Sequence, residues 1–135
     1  MTEVFRIPYP KTAAQRKQWS KQYGVNAYYA GKHWAQRKQD ADYWHLLTRA
    51  QMNRQNVRRE PFDGPVVVTF CWNDRLDIDN HAIMGKLIVD AMKGRVIQDD
   101  SRRYLRGVSH FFHDDDCIKV SVTEVQRDKK RIRPE

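Results

Sequence analysis

The segment Asp74-Arg75-Leu76-Asp77-Ile78-Asp79-Asn80 gathers three carboxylates within seven residues. Read as an extended stretch, residues two apart point the same way, so Asp77 and Asp79 converge on one point. Converging carboxylates repel each other unless a cation lies between them. Hard oxygen ligands of this kind favour Mg²⁺, with Mn²⁺ as a possible substitute. The plainer reading is that Asp79 caps the following helix while Asp77 is merely solvated.

At about 100° per residue, Asp79, Lys86, Asp90 and Lys93 fall on one narrow stripe of that helix. The other faces carry Ala82, Ile83, Met84, Leu87, Ile88, Val89, Ala91 and Met92. A helix apolar nearly all round is a buried one, so its few charges must line a cleft or pair with one another. An ordinary Lys86–Asp90 surface pair is the competing reading. Asp99-Asp100 add a third acidic point after Gly94. Three carboxylates and a lysine suit phosphodiester hydrolysis. A metal ion activates water and neutralises developing charge, and a lysine stabilises the same charge or the leaving oxygen.

The elements that must position these groups follow the order β–α–β–α–β–β, which makes a small α+β domain with a mixed sheet packed by two helices. Thr2–Pro8 reads as a strand, and Lys11–Gly31 as a long irregular binding loop. A helix is expected over Ala35–Arg54, with Tyr43, Leu46, Leu47 and Ala50 on its buried face. Val66–Trp72 is a buried strand, Asn80–Lys93 a helix closed by Gly94, and Val96–Asp100 a short extended piece. Arg103–His113 and Cys117–Val125 are expected to pair as a hairpin through Asp114-Asp115-Asp116. The domain then covers residues 1–125, and 126–135 form a charged tail expected to be disordered in isolation.

With 135 residues, 25 Lys and Arg against 17 Asp and Glu, and a net charge of +8, the chain is sized for one domain and fitted to a polyanionic partner such as nucleic acid. The apolar runs Val66–Phe70 and Leu87–Val89 are too short to span a bilayer, and no signal-peptide core follows Met1, so the cytoplasm is the simplest expected compartment. Cys71 and Cys117 exclude a disulfide framework or a cysteine zinc site and read as small core residues. His110 and His113, three apart on a strand, face opposite ways and are not expected to share an ion. Basic residues suited to phosphate contact are Arg16, Lys17, Lys21, Lys32, Arg37, Lys38, Arg102, Arg103 and Arg106. Aromatic residues interleave with the basic residues between Arg16 and Lys38, where they can stack on unpaired bases or, as with Trp34, Tyr43 and Trp44, simply fill the core.

Asp77-Ile78-Asp79-Asn80, then Lys86 with Asp90-Ala91-Met92, then Asp99-Asp100 resembles the RusA family of Holliday junction resolvases. Ile7-Pro8-Tyr9-Pro10 is similar to that family's opening strand. Tyr29-Ala30-Gly31-Lys32-His33-Trp34 with Arg37-Lys38 resembles its phage-type branch. The resemblance runs over about Val4–Val125. It implies a Mg²⁺-dependent homodimer that places paired nicks across a four-way DNA junction, in recombination and repair. It also implies Asp77, Asp79 and Asp100 as metal-binding carboxylates and Lys86 as the catalytic lysine. The alternatives are a non-catalytic basic DNA-binding or architectural protein, and a related nuclease for flaps or forks. Carboxylates clustered in a basic chain favour an enzyme, because they repel phosphate and give a mere binder nothing.

Overall fold

Alternation in Val66–Trp72 buries Val66, Val68, Phe70 and Trp72 and leaves Val67, Thr69 and Cys71 on the opposite, half-exposed face. This strand, β2, is an interior strand of a four-stranded sheet in the computed structural model, which describes residues 1–29 and 31–125. β1 is Thr2–Ile7, β3 Leu105–Phe112 and β4 Ile118–Glu124, in the spatial order β1-β4-β2-β3. β4 runs antiparallel to both β1 and β2, whereas β2 and β3 are parallel. One row crosses the whole sheet: Phe5 opposite Val120, Val120 opposite Phe70, Phe70 opposite His110. The α+β class and the mixed sheet are therefore as the sequence implies.

The expected hairpin is not formed. β3 and β4 are neighbours in sequence, but β2 lies between them. The turn joining them passes over the end of β2, where the Trp72 carbonyl accepts from His113 N–H and the Asn73 side-chain amide donates to the carbonyls of Asp114 and Asp115. Parallel β2 and β3 need a crossover, and α4 (Ala82–Met92) supplies it. α4 sits close on the sheet: a Cβ at Gly85 would lie 2.9 Å from His110 Cε1 and 3.3 Å from Phe70 Cε2, so the position has room only for glycine.

Residues 13–29, expected as an irregular loop, form two further helices, α1 (Ala13–Tyr23) and α2 (Val25–Tyr29). α1 starts on a capping box: Thr12 Oγ1 accepts from Gln15 N–H, and Gln15 Oε1 accepts from Thr12 N–H. It buries only Trp19 and Tyr23, which pack edge-on or tilted against Trp44. α3 (Trp34–Arg54) lies where a helix is expected, but its buried face is Asp40, Trp44, Thr48, Gln51 and Met52. Tyr43 is 43% exposed and Leu46 72% exposed, one position off the expected face. The reason is that this face buries a charged group, Asp40, which has local partners. Asp40 accepts from Gln22, Gln36 and the Tyr28 hydroxyl and is ion-paired with Lys32.

The edges of the sheet differ. The outer edge of β1 is covered, since Gln55 Oε1 accepts from Arg6 N–H and Gln55 Nε2 donates to the Arg6 carbonyl. β3 is the other edge and exposes Val108, Phe111 and Phe112. Cys71 and Cys117 are half-buried free thiols rather than core residues. No helix among the described residues is long and apolar enough to cross a membrane. The expected C-terminal tail lies outside the described residues.

Candidate functional site

Beyond β2 the chain forms a strap, Asn73–His81, that ends in a 3₁₀ turn over Ile78–His81. Its two ends are fixed by buried polar contacts. Asp74 is the first anchor: its carboxylate accepts from the Tyr9 hydroxyl (2.8 Å), from Leu76 N–H (3.0 Å) and from His81 Nε2 (2.8 Å). Burial pushes the Tyr9 hydroxyl well above its ordinary pKa, which keeps it a neutral donor. The same hydroxyl accepts from Asn73 N–H at 2.7 Å. His81 is fully buried and tilted against Trp72, with 4.4 Å between ring centroids. Its Nδ1 lies 3.0 Å from the Ile78 carbonyl, which can only accept, so that nitrogen carries a proton.

Asn80 is the second anchor. Its Oδ1 accepts from Val25 N–H (2.6 Å) and Asn26 N–H, at the start of α2. A Cβ at Gly24 would come within 3.0 Å of Asn80 Nδ2, so glycine lets α2 approach the strap. The asparagine of the Asp-x-Asp-Asn motif is thus a helix-docking residue. His110 completes the support beneath: its Nδ1 accepts from Trp72 Nε1 at 3.0 Å, and burial, with His81 nearby, lowers its pKa and keeps it neutral. His113, just beyond β3, instead meets the Cys117 carbonyl.

Between the anchors, Asp77 and Asp79 are exposed, and their carboxylates have no hydrogen-bond or ion-pair partner among the described residues. The strap is not a strand here. Asp77 is extended, but Asp79 already lies in the 3₁₀ turn, so strand alternation is not what relates the two side chains. Asp77 forms no side-chain cap; its backbone carbonyl accepts from Asn80 N–H instead.

The charges of α4 and of the residues just after it form a continuous line. Lys86 Nζ reaches Asp90 at 3.3 Å, Lys93 Nζ lies 3.6 Å from Asp90, and Lys93 also donates to Asp100 at 3.4 Å. Lys86, Asp90 and Lys93 thus share one stripe, whereas Asp79 lies before the helix. Lys86 is 67% exposed and its ion-pair partner is Asp90. For Asp100, partial desolvation is outweighed by Lys93, which holds the carboxyl below its ordinary pKa. Asp77, Asp79 and Asp100 do not come together as a ligand set: among the described residues no three His, Cys, Asp or Glu side chains are grouped to hold a metal. The two open carboxylates do suit Mg²⁺, which commonly takes one or two carboxylates and fills its other positions with water and substrate phosphate.

Beside the strap, α1 and the segment Asn73–Arg75 enclose an open groove of about 750 Å³. Arg16, Lys17, Lys21 and Arg75 line it, with Tyr9 and Trp19 on its wall. Of the expected phosphate contacts, Lys17 and Lys21 therefore lie on the groove. Arg16 lies there too, but its guanidinium is clamped bidentately by Asp116 (2.8 and 3.0 Å) and its Nε donates to the Pro10 carbonyl. Lys32 must be removed from the DNA-contact set. It is 11% exposed, paired with buried Asp40, and seated over the rings of Tyr23 and Tyr28. Arg37 packs over Tyr28 and donates to its carbonyl, and Lys38 pairs with Asp42 on the surface. Arg102, Arg103 and Arg106 are exposed before and at the start of β3.

Sequence reasoning missed Tyr9, Asp74 and His81 as the groups that hold the strap. A histidine directly after Asp-x-Asp-Asn was the available signal, since a fully polar ring opening an apolar helix needs partners. When compared with known families, the chain matches none, and no curated protein matches it.

Proposed function

We propose that this protein is a Mg²⁺-dependent, structure-specific DNA endonuclease that acts on four-way junctions. The observation that carries this reading is the pair Asp77 and Asp79. They are the strap's unengaged carboxylates, held out by a buried scaffold beside a cationic groove on a chain of net charge +8. A protein that only binds DNA gains nothing from two unneutralised carboxylates near phosphate, and a metal ion relieves that repulsion. Asp77 and Asp79 would hold the ion, which when bound supplies a water of lowered pKa and neutralises charge on the phosphate.

The chain's own residues do the rest. Tyr9, Asp74 and His81 fix the strap so that the carboxylates stay in place without reorganising. Lys17, Lys21, Arg102, Arg103 and Arg106 take backbone phosphates, which gives affinity without sequence information. Lys86 is the candidate for stabilising the leaving oxygen, because its only ion-pair partner among the described residues, Asp90, is an i,i+4 surface neighbour. A junction has two symmetric scissile positions, so the active species is a two-fold pair of chains with one site each.

The specific observation behind a second reading is Asp100. Its pairing with Lys93 leaves the three-carboxylate set unassembled, as suits a non-catalytic DNA-binding protein. Labelled four-way, flap and linear DNA, each incubated with Mg²⁺ and with chelator, separates the readings. Mg²⁺-dependent paired nicks on the four-way substrate are expected. Binding without nicking of any substrate would establish the second reading, and preferential flap cleavage would change the substrate.

A further inference from the structure

The groove between α1 and the strap is concave, and its charge is unbalanced. Its one carboxylate, Asp74, is fully taken up by Tyr9, Leu76 N–H and His81. Arg16 is neutralised by Asp116, whereas Lys17, Lys21 and Arg75 have no ion-pair partner among the described residues. Lys17 and Lys21 stand one helical turn apart, about 6 Å along α1, so they present two cations in a row. The groove's apolar lining comes from the edges of Tyr9 and Trp19, which are otherwise buried, and from Ala13, and the Arg16 guanidinium lies over the Tyr9 ring. Asn73 has its amide nitrogen fixed by two turn carbonyls, which leaves its Oδ1 without a partner among the described residues, as an acceptor at the groove.

We infer that this groove binds an unpaired nucleotide of a DNA strand, with phosphates on Lys17, Lys21 and Arg75 and the base in the concavity between α1 and the strap. A double helix offers its phosphates on a convex cylinder and does not enter such a concavity. An unstacked nucleotide does, and a volume of about 750 Å³ lies within the usual range of small-molecule pockets. Two spaced cations favour a strand over a nucleoside monophosphate, which brings only one phosphate group. Arg75, which lines the groove, stands two and four residues before Asp77 and Asp79 in the chain. Junction centres and fork points supply unpaired nucleotides. This inference deepens the nuclease reading and rests on it for the choice of DNA.

The test uses the full chain in Ca²⁺ with three probes: labelled oligothymidylate, the same strand paired with oligoadenylate, and thymidine monophosphate. Ala13→Trp and, from the next turns of α1, Ser20→Trp fill the groove without changing its charge. Circular dichroism and melting show which of the two remains folded. The groove-filled variant is expected to bind the single strand about tenfold more weakly, while its affinity for the duplex stays unchanged. The double charge reversal Lys17→Glu with Lys21→Glu should weaken strand binding further. Unchanged strand affinity in a folded groove-filled variant would overturn the inference, as would thymidine monophosphate competing as strongly as the strand. The nuclease reading fails separately: strand binding that responds to Ala13→Trp in a protein that never nicks DNA keeps the groove and removes the enzyme.

Discussion

Two acidic regions lie on either side of α4, and the fold treats them in opposite ways. Before the helix, Asp77 and Asp79 stand on a strap with no partner among the described residues. After it, Asp100 is joined through Lys93 to Asp90, and Asp90 in turn to Lys86. The same contrast recurs inside the strap, where Asp74 spends its acceptor sites on Tyr9, Leu76 N–H and His81. A carboxylate's role follows from the donors around it rather than from its place in a motif. Where donors are supplied, it holds the structure together. Where none are, its charge is left for something that binds.

The largest expected effect tests the open side of this contrast. Asp77→Asn and Asp79→Asn should each lower nicking of a four-way junction on the order of a hundredfold or more. Junction affinity in Ca²⁺ should hold or tighten, because one less negative group faces phosphate. If Asp77 and Asp79 are only solvated surface carboxylates, Asn replaces them at little cost and nicking survives. Normal nicking by both variants would end the metal-site reading.

The engaged side predicts a stability effect instead. Asp74→Ala removes the acceptor for three donors and leaves fully buried His81 facing an empty site, which should cost about 3 kcal/mol in a urea melt. Asp77→Ala, with no contact to lose, should stay within about 0.5 kcal/mol. Equal losses from the two substitutions would erase the distinction between anchor and open carboxylate.

β2, α4 and β4 are legible in the sequence because β-branched or apolar runs define them. The exchange of neighbours at β3 is not, since its cause is distant: Asn73 and the Trp72 carbonyl hold the turn over the end of β2. α1 carries a readable Thr12-x-x-Gln15 capping box, but its polar body hides the helix, which docks through Trp19 and Tyr23 alone. α3 shows the right period and the wrong face, because Asp40, Thr48 and Gln51 are buried where hydrophobicity alone places Tyr43 and Leu46. In the site, Asp77 and Asp79 are legible as a motif. Asp74 and His81 are not, because their meaning lies in a contact with Tyr9 that is 65 residues away in sequence.

A pH series sharpens the contrast with a third carboxylate. Burial pushes the Asp40 pKa up, but bonds from Lys32, Gln36 and Gln22 outweigh it, and the net shift is downward. A depressed folded pKa means that the stabilisation is complete above the unfolded value, roughly pH 4, and is lost as pH falls through the folded value. The stability gap between the wild type and Asp40→Asn should therefore be constant from neutral pH down to that point, then shrink in stronger acid. Urea melts from pH 7 to pH 2 make the comparison, and a gap at Asp40 that widened in acid would reverse the assignment.

The smallest change in stability asks whether the contrast between the two acidic regions is fixed. Lys93 is partly exposed, so Lys93→Gln should cost only about 0.5 kcal/mol, as for other surface ion pairs. It also removes the cation that occupies Asp100, turning an engaged carboxylate into an open one. If Asp100 can serve as a third ligand beside Asp77 and Asp79, the variant should nick at lower Mg²⁺ than the wild type, because another full negative charge is available to the ion. If two carboxylates make the whole site, the Mg²⁺ concentration for half-maximal nicking should not move. Lost nicking at saturating Mg²⁺, with the fold intact, would put Lys93 rather than Lys86 at the phosphodiester. A Mg²⁺ titration of nicking in the wild type, Lys93→Gln and Lys86→Gln distinguishes these outcomes, and it also shows which lysine on the α4 stripe acts on the substrate.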